Sequence, residues 1–220
     1  MRRFAITVVA VVLCAAGAYA SSVYGGGDHA GTMVTANQGW TAQIASEMWH
    51  KPQGAVLMPA AFFAALRDKN GEKMDSAAKL DQYGFVPDQK SPENPNGWPV
   101  GFAIDDGSRN AGIPQFGFTC TACHTTQLAY RGKHLLIEGA GGKIIVSPFV
   151  AAINGELIAT YRDPARRAAF AKEAVSYGYP AARIDHDMTA FVTTLEKNVA
   201  VGSSVNGIAT PGGPGRVDAL

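Results

Sequence analysis

The sequence predicts a mainly α-helical domain with long irregular loops and one small β-hairpin, spanning residues 40–220. Three observations predict it. Apolar residues recur at helical spacing in separate segments near residues 40–50, 148–162 and 184–201. Pro, Gly, Asn and Asp concentrate between Gly84 and Gly117, where no period survives. Only "KHLLIEGAGGKIIV" sets two β-prone runs around a glycine turn.

The first twenty residues, "MRRFAITVVAVVLCAAGAYA", read as a signal peptide. Arg2 and Arg3 make a basic start, and Phe4 to Ala16 is apolar but short for a bilayer span. Ala18-Tyr19-Ala20 then supplies the small-x-small pattern cleaved by signal peptidases, which places the cut after Ala20. A retained anchor is the competing reading, and the short apolar run counts against it. Cys14 follows Leu13, not a small residue, so it does not read as a lipidated cysteine. The expected product is periplasmic or secreted, with no stable membrane span in the mature chain. Residues 21–39, rich in Gly, Ser and Thr, read as a flexible lead-in.

In "WTAQIASEMWH", Trp40, Ile44 and Met48 recur at i+4 on one face and predict a helix. "PAAFFAALRDKNGE" predicts a second: Pro59 opens it, Phe62, Phe63 and Leu66 bury, and Gly71 ends it. The stretch from Gly84 to Gly117 is a long irregular loop. Trp98, Val100 and Phe102 favour an ordered wrap over a free linker. After the hairpin at 133–146, Ser147-Pro148 predicts a capped helix start. That helix lines up Phe149, Ile153, Leu157 and Tyr161. Asp163-Pro164 repeats the start signal for "PARRAAFAKEAVSYG". A last helix from Ile184 to Val201 carries Ile184, Met188, Phe191, Leu195 and Val199 on one stripe. No internal repeat is present.

Composition narrows the function. The chain is 47% hydrophobic and 17% charged, as ordinary globular proteins are. Of its 19 Lys and Arg, Arg2 and Arg3 leave with the leader, so 17 face 18 acidic residues. There is no basic run, which argues against nucleic acid as a partner. Of three cysteines, two remain, close together, so this is no disulfide-stapled scaffold.

Those two stand in "GFTCTACHTTQ": Cys120, Cys123 and His124. A structural zinc site needs four ligands, and no second Cys or His pair is present. A thioredoxin-like pair needs a βαβ context that the flanks do not supply. A disulfide between them would close a very small loop and contribute little. Covalent haem attachment uses all three residues. Cysteines at i and i+3 on one helical turn meet the two vinyl groups of one porphyrin edge, and the adjacent histidine becomes the proximal iron ligand. The expected cofactor is one covalent haem c on Cys120 and Cys123, with His124 as the metal ligand, in a cytochrome c-like domain. Met58, Met74, Met188, His50, His134 and His186 are the possible sixth ligands, and none is selected. Met188 reads as core, His186 as solvated, His134 as a surface histidine at a strand start, and His29 as part of the lead-in. An empty sixth position stays open.

The order of "LMPAAFFAAL", "YGFVP", "NPNGWPVGF", "GFTCTACHTTQLAYRGKHLLIEGAG" and "GPGRVDAL" resembles the di-haem cytochrome c peroxidase-like superfamily. Within it, the likeness is to the branch of the bacterial rubber oxygenases. It runs from about Trp40 to the last residue. The resemblance implies thioether bonds at Cys120 and Cys123, proximal ligation by His124, and a "NPNGWPVGF" loop near the haem. Members of that family carry a second haem motif in a later domain, and this chain has one. Its stop at Asp218-Ala219-Leu220 reads as a truncation inside a motif.

Three functions are in view. The leading one is an exported mono-haem cytochrome that transfers electrons to a redox partner protein or small oxidant. The alternative is a haem peroxidase or oxygenase that activates peroxide or oxygen at an open distal site, with no catalytic residue assigned. The third is a ligand-binding or inactive haem protein.

Overall fold

The computed structural model describes residues 32–35 and 38–205. In chain order its elements are β1 (Thr32–Thr35), α1 (Ala42–His50), β2 (Met58–Pro59), α2 (Ala60–Ala65), α3 (Ala77–Gln82), β3 (Phe102–Asp105), β4 (Gln115–Phe118), α4 (Cys120–Cys123), β5 (Thr125–Tyr130), β6 (Lys133–Glu138), α5 (Val146–Arg162), α6 (Pro164–Ser176) and α7 (Ile184–Val205). The expected mainly α, cytochrome c-like fold with a single hairpin is overturned. Among the described residues two three-stranded sheets stand beside the helices, ordered β1-β6-β5 and β2-β4-β3. The leader at 1–20, His29 and the terminal "GPGRVDAL" lie outside the described residues. Residues 32–35 of the expected flexible lead-in pair as a strand, parallel to β6.

Two strands of the second sheet, β3 and most of β4, lie in the stretch read as a loop, and β2 lies where the second helix was expected to open. Phe102 pairs with Phe118 and Ile104 with Phe116, while Met58 pairs with Phe116 from the other side. Short aromatic-rich strands need only four residues each, too few for a period to register. They form the centre of the core. Phe63 stacks on Phe116 with ring centroids 4.1 Å apart, and Phe85, Phe102, Phe118 and Phe149 close around them. Burying one such side chain contributes roughly 1.5–3 kcal/mol. The 94–101 segment is an ordered wrap, as expected. Asn94 donates to the Trp98 carbonyl at 2.7 Å and accepts from the Trp98 N–H at 2.9 Å, which seats the indole in the core.

The hairpin forms one step earlier than its sequence signal. β5 pairs antiparallel with β6 through Arg131 and Gly132, both at positive φ (48° and 72°). Two left-handed residues are what a tight two-residue hairpin turn requires. "GKIIV" therefore leads into α5 and does not pair back. The second predicted helix is also cut short, ending at Ala65. Asp68 accepts from the Asn70 and Glu72 N–H groups at 2.8 and 2.9 Å, a local turn that competes with helix. Helix α3, capped by Ser76, was not foreseen.

Helices α5, α6 and α7 cover the far side. Phe149, Ile153 and Leu157 of α5 are buried as their spacing predicts. Ser147 is not its cap: the helix starts at Val146 with no side-chain cap bond. Asp163 does cap α6, accepting from Ala165 and Arg166. No helix among the described residues is long and apolar enough to cross a membrane.

Helix α1 forms where its spacing predicts. Its apolar stripe points outward, with Ile44 47% and Met48 39% exposed and Trp40 exposed ahead of them. The inward face carries Ala45 and His50 instead.

Candidate functional site

Strand β4 runs through Phe118 and Thr119 into α4, one turn that carries Cys120 and Cys123. Four residues cannot sustain a helix unaided, so the turn is held from outside. The Cys120 N–H donates to Gln53 Oε1 at 2.8 Å, and Thr119 Oγ1 donates to the Trp49 carbonyl at 3.2 Å. On the other side, the Gly142 N–H donates to the Cys123 carbonyl at 2.6 Å and the Gly139 N–H to the His124 carbonyl at 2.7 Å. Gly101, at φ +89°, lies so close that a Cβ there would sit 2.2 Å from Ala122 N and Cα. The "NPNGWPVGF" segment thus packs directly on the motif turn through its eighth residue.

His124 ends the turn, its N–H donating to the Cys120 carbonyl at 3.0 Å, and its side chain is exposed. Both cysteines are free thiols, Cys120 exposed and Cys123 buried at the floor of the turn. Burial, and secondarily the neighbouring Cys120, pushes the Cys123 thiol up from its ordinary value. Among the described residues no three His, Cys, Asp or Glu side chains converge as a metal-ion cage. The donor set instead fits a haem: two reduced thiols one helical turn apart, and an exposed imidazole next to them, so that one nitrogen alone need meet iron.

The possible sixth ligands are scattered. Met58, Met74 and Met188 are enclosed in the core. His50 is buried with both ring nitrogens engaged, Nδ1 with the Phe102 carbonyl at 2.7 Å and Nε2 with Asp88 Oδ2 at 2.9 Å. His134 is buried, not at the surface as its strand-start position suggested, and β6 places it opposite Ala129. His186 is exposed on α7, against Asp187. Cys120, Cys123 and His124 share one turn; of the six, His50 lies beside it, on the Phe102 carbonyl next to Gly101, with both ring nitrogens engaged. Sequence reasoning missed Gln53, Gly101 and Gly142, which fix the turn. Gly142 had a signal in its glycine-rich surroundings; Gln53 had none.

No protein-family profile matches the chain. No solved structure matches it. Over 154 residues it is 29% identical to an uncharacterized protein, y4iJ, of Sinorhizobium fredii (strain NBRC 101917 / NGR234). The match takes in 61% of this chain and 25% of that protein, so the chain spans about a quarter of the relative's length.

Proposed function

We propose that the chain is an exported c-type cytochrome domain holding one haem c on Cys120 and Cys123, with His124 as proximal ligand, and that it transfers electrons. The observation that carries this reading is one externally braced turn holding two unbonded thiols, Cys120 exposed and Cys123 buried, next to an exposed imidazole. When bound, haem supplies a one-electron iron couple. The protein's part is to hold the attachment turn still. Gly101 and Gly142 admit backbone contact on both flanks, and Gln53 occupies the Cys120 N–H. Its partner is a redox protein or a small oxidant, met after export.

Intact mass of protein made in a host competent for cytochrome c maturation tests the attachment. One added haem is expected, lost under denaturing conditions in Cys120→Ala/Cys123→Ala; an unmodified wild-type mass refutes it. One observation favours the second reading, a peroxidase or oxygenase with an open distal site. Among the described residues, the six side chains considered for the sixth position are enclosed, engaged or remote. Rapid carbon monoxide binding by the reduced protein supports that reading. A low-spin spectrum that ignores carbon monoxide supports electron transfer.

A further inference from the structure

The outward stripe of α1 has no partner among the described residues, and its position beside the attachment turn gives it one. We propose that Ile44 and Met48 of α1, with Val56 beyond it, form the apolar wall that the haem macrocycle covers. This rests on the haem reading above and names the surface which completes that site.

Three observations carry the inference. The first is inversion. An amphipathic helix at a protein surface normally turns its apolar stripe inward, yet Ile44 and Met48 face out while Ala45 and His50 face in. Val56 is likewise 44% exposed. The second is continuity with the attachment turn. Trp49, the residue after Met48, accepts from Thr119 through its carbonyl, and Gln53 accepts from the Cys120 N–H. At the far end of the segment, a Cβ on Gly117 would meet the Ala55 carbonyl oxygen and lie 3.2 Å from Val56 Cα. Residues 49–56 therefore run along the chain that enters the turn, from Gly117 to Cys120. The third is chemistry. A porphyrin is a flat apolar plate, and aliphatic Ile44 and Met48 suit its face, with exposed Glu47 and Lys51 flanking them. Ile44 to Met48 spans about 6 Å along the helix, a length suited to one edge of that plate. Cys120 and His124 are exposed on the same turn and so leave the plate free to lie outside the present surface.

The test uses the full chain from a maturation-competent host as wild type, Ile44→Glu and Val56→Glu. Tyr130→Glu serves as control, placed on exposed Tyr130 about 20 Å along β5 from His124. The expected result is equal haem mass in all four. The two wall variants shift the ferric-to-ferrous ratio roughly three- to thirtyfold toward ferric at fixed solution potential. Tyr130→Glu stays near wild type. The wall variants also lose much of the melting-temperature gain that haem confers over the Cys120→Ala/Cys123→Ala chain. In that haem-free background Ile44→Glu melts with its parent, because the side chain is already solvent-facing. Haem-bearing wall variants with wild-type potential and melting overturn the proposal. A haem-free wild-type chain that dimerises and is made monomeric by Ile44→Glu overturns it too, since the face then belongs to a second copy. Absence of haem from wild type overturns the underlying reading and this inference together.

Discussion

Gly101→Ala puts the bracing of the attachment turn to a quantitative test. The added Cβ would stand 2.2 Å from Ala122 N and Cα and 2.5 Å from its Cβ. Ordinary carbon contact is about 3.5–4.0 Å, so the turn must retreat by more than about 1 Å. Its atoms there are backbone, and the Gly101 carbonyl also accepts the Thr119 N–H at 2.8 Å, so the retreat breaks register at the root of the motif. Overpacking of this kind costs about 1–3 kcal/mol. The φ of +89° adds about 1–2 kcal/mol for any L-residue. The expected destabilisation is about 2–5 kcal/mol. Gly112→Ala isolates the second part: its φ is +74° and nothing lies within 4 Å, so it should cost about 1–2 kcal/mol. Urea unfolding of both variants in the Cys120→Ala/Cys123→Ala background reads the difference without haem. Equal midpoints for the two would refute the claim that Gly101 clamps the turn.

Three further outcomes follow from the polar groups. Burial works to raise the Asp68 carboxyl, but the Lys79 ammonium at 2.9 Å and the Glu72 and Asn70 N–H groups hold it below its usual value. Its folded pKa is therefore below the unfolded one. Its stabilisation is present above about pH 4 and is lost as pH falls through the lower folded value. Lys79→Met should cost about 1–3 kcal/mol at pH 7 and flatten the acid limb of a melting-temperature profile; an unchanged limb contradicts the pairing. Asp75 runs the opposite way: burial raises it despite Lys73 and the Trp98 indole N–H. Its contribution is full below about pH 4 and declines as pH rises through the folded value. Asp75→Asn, which keeps an acceptor for Trp98, should gain on wild type between pH 3 and pH 7, and a loss over that interval in the same assay would reverse the assignment. His50→Gln should lower stability by about 1–3 kcal/mol by disturbing two buried bonds. It should leave the optical spectrum of the haem protein unchanged; a changed spectrum would make His50 an iron ligand after all.

The long helices were legible because each carries a full period and a start signal. Phe149, Ile153 and Leu157 bury as spaced, and Asp163-Pro164 begins α6 where it says. The sheets were not. Strands of four residues such as "FAID" and "QFGF" leave too few positions to separate alternation from a loop. The Arg131-Gly132 turn was hidden because arginine rarely takes positive φ, so the hairpin was assigned to the glycine run that follows. α1 shows a different limit: its period was legible and its direction was not. Spacing shows that Trp40, Ile44 and Met48 share a face, but only the tertiary contacts of Trp49 and Gln53 decide where that face points. The candidate residues were plain because Cys120, Cys123 and His124 are close together in sequence. Their supports come from positions 49, 53, 101, 139 and 142, which no local pattern joins.

That separation has a physical consequence for the site. A turn of four residues has almost no stability of its own, so its geometry is set by what abuts it: β4 before it, the 139–142 glycine segment behind, Gly101 on one flank and the α1–β2 connection on the other. Sheet pairing Phe102 to Phe118 fixes the distance between Gly101 and Thr119. The aromatic cluster that holds that sheet therefore also positions the turn. Under the proposed function, stability and haem attachment become one problem. A substitution deep in the core, such as at Phe116, which touches neither thiol, should weaken both, whereas one at exposed Tyr130 should weaken neither. A motif turn on a free-standing helix would separate the two effects; this β-anchored turn joins them.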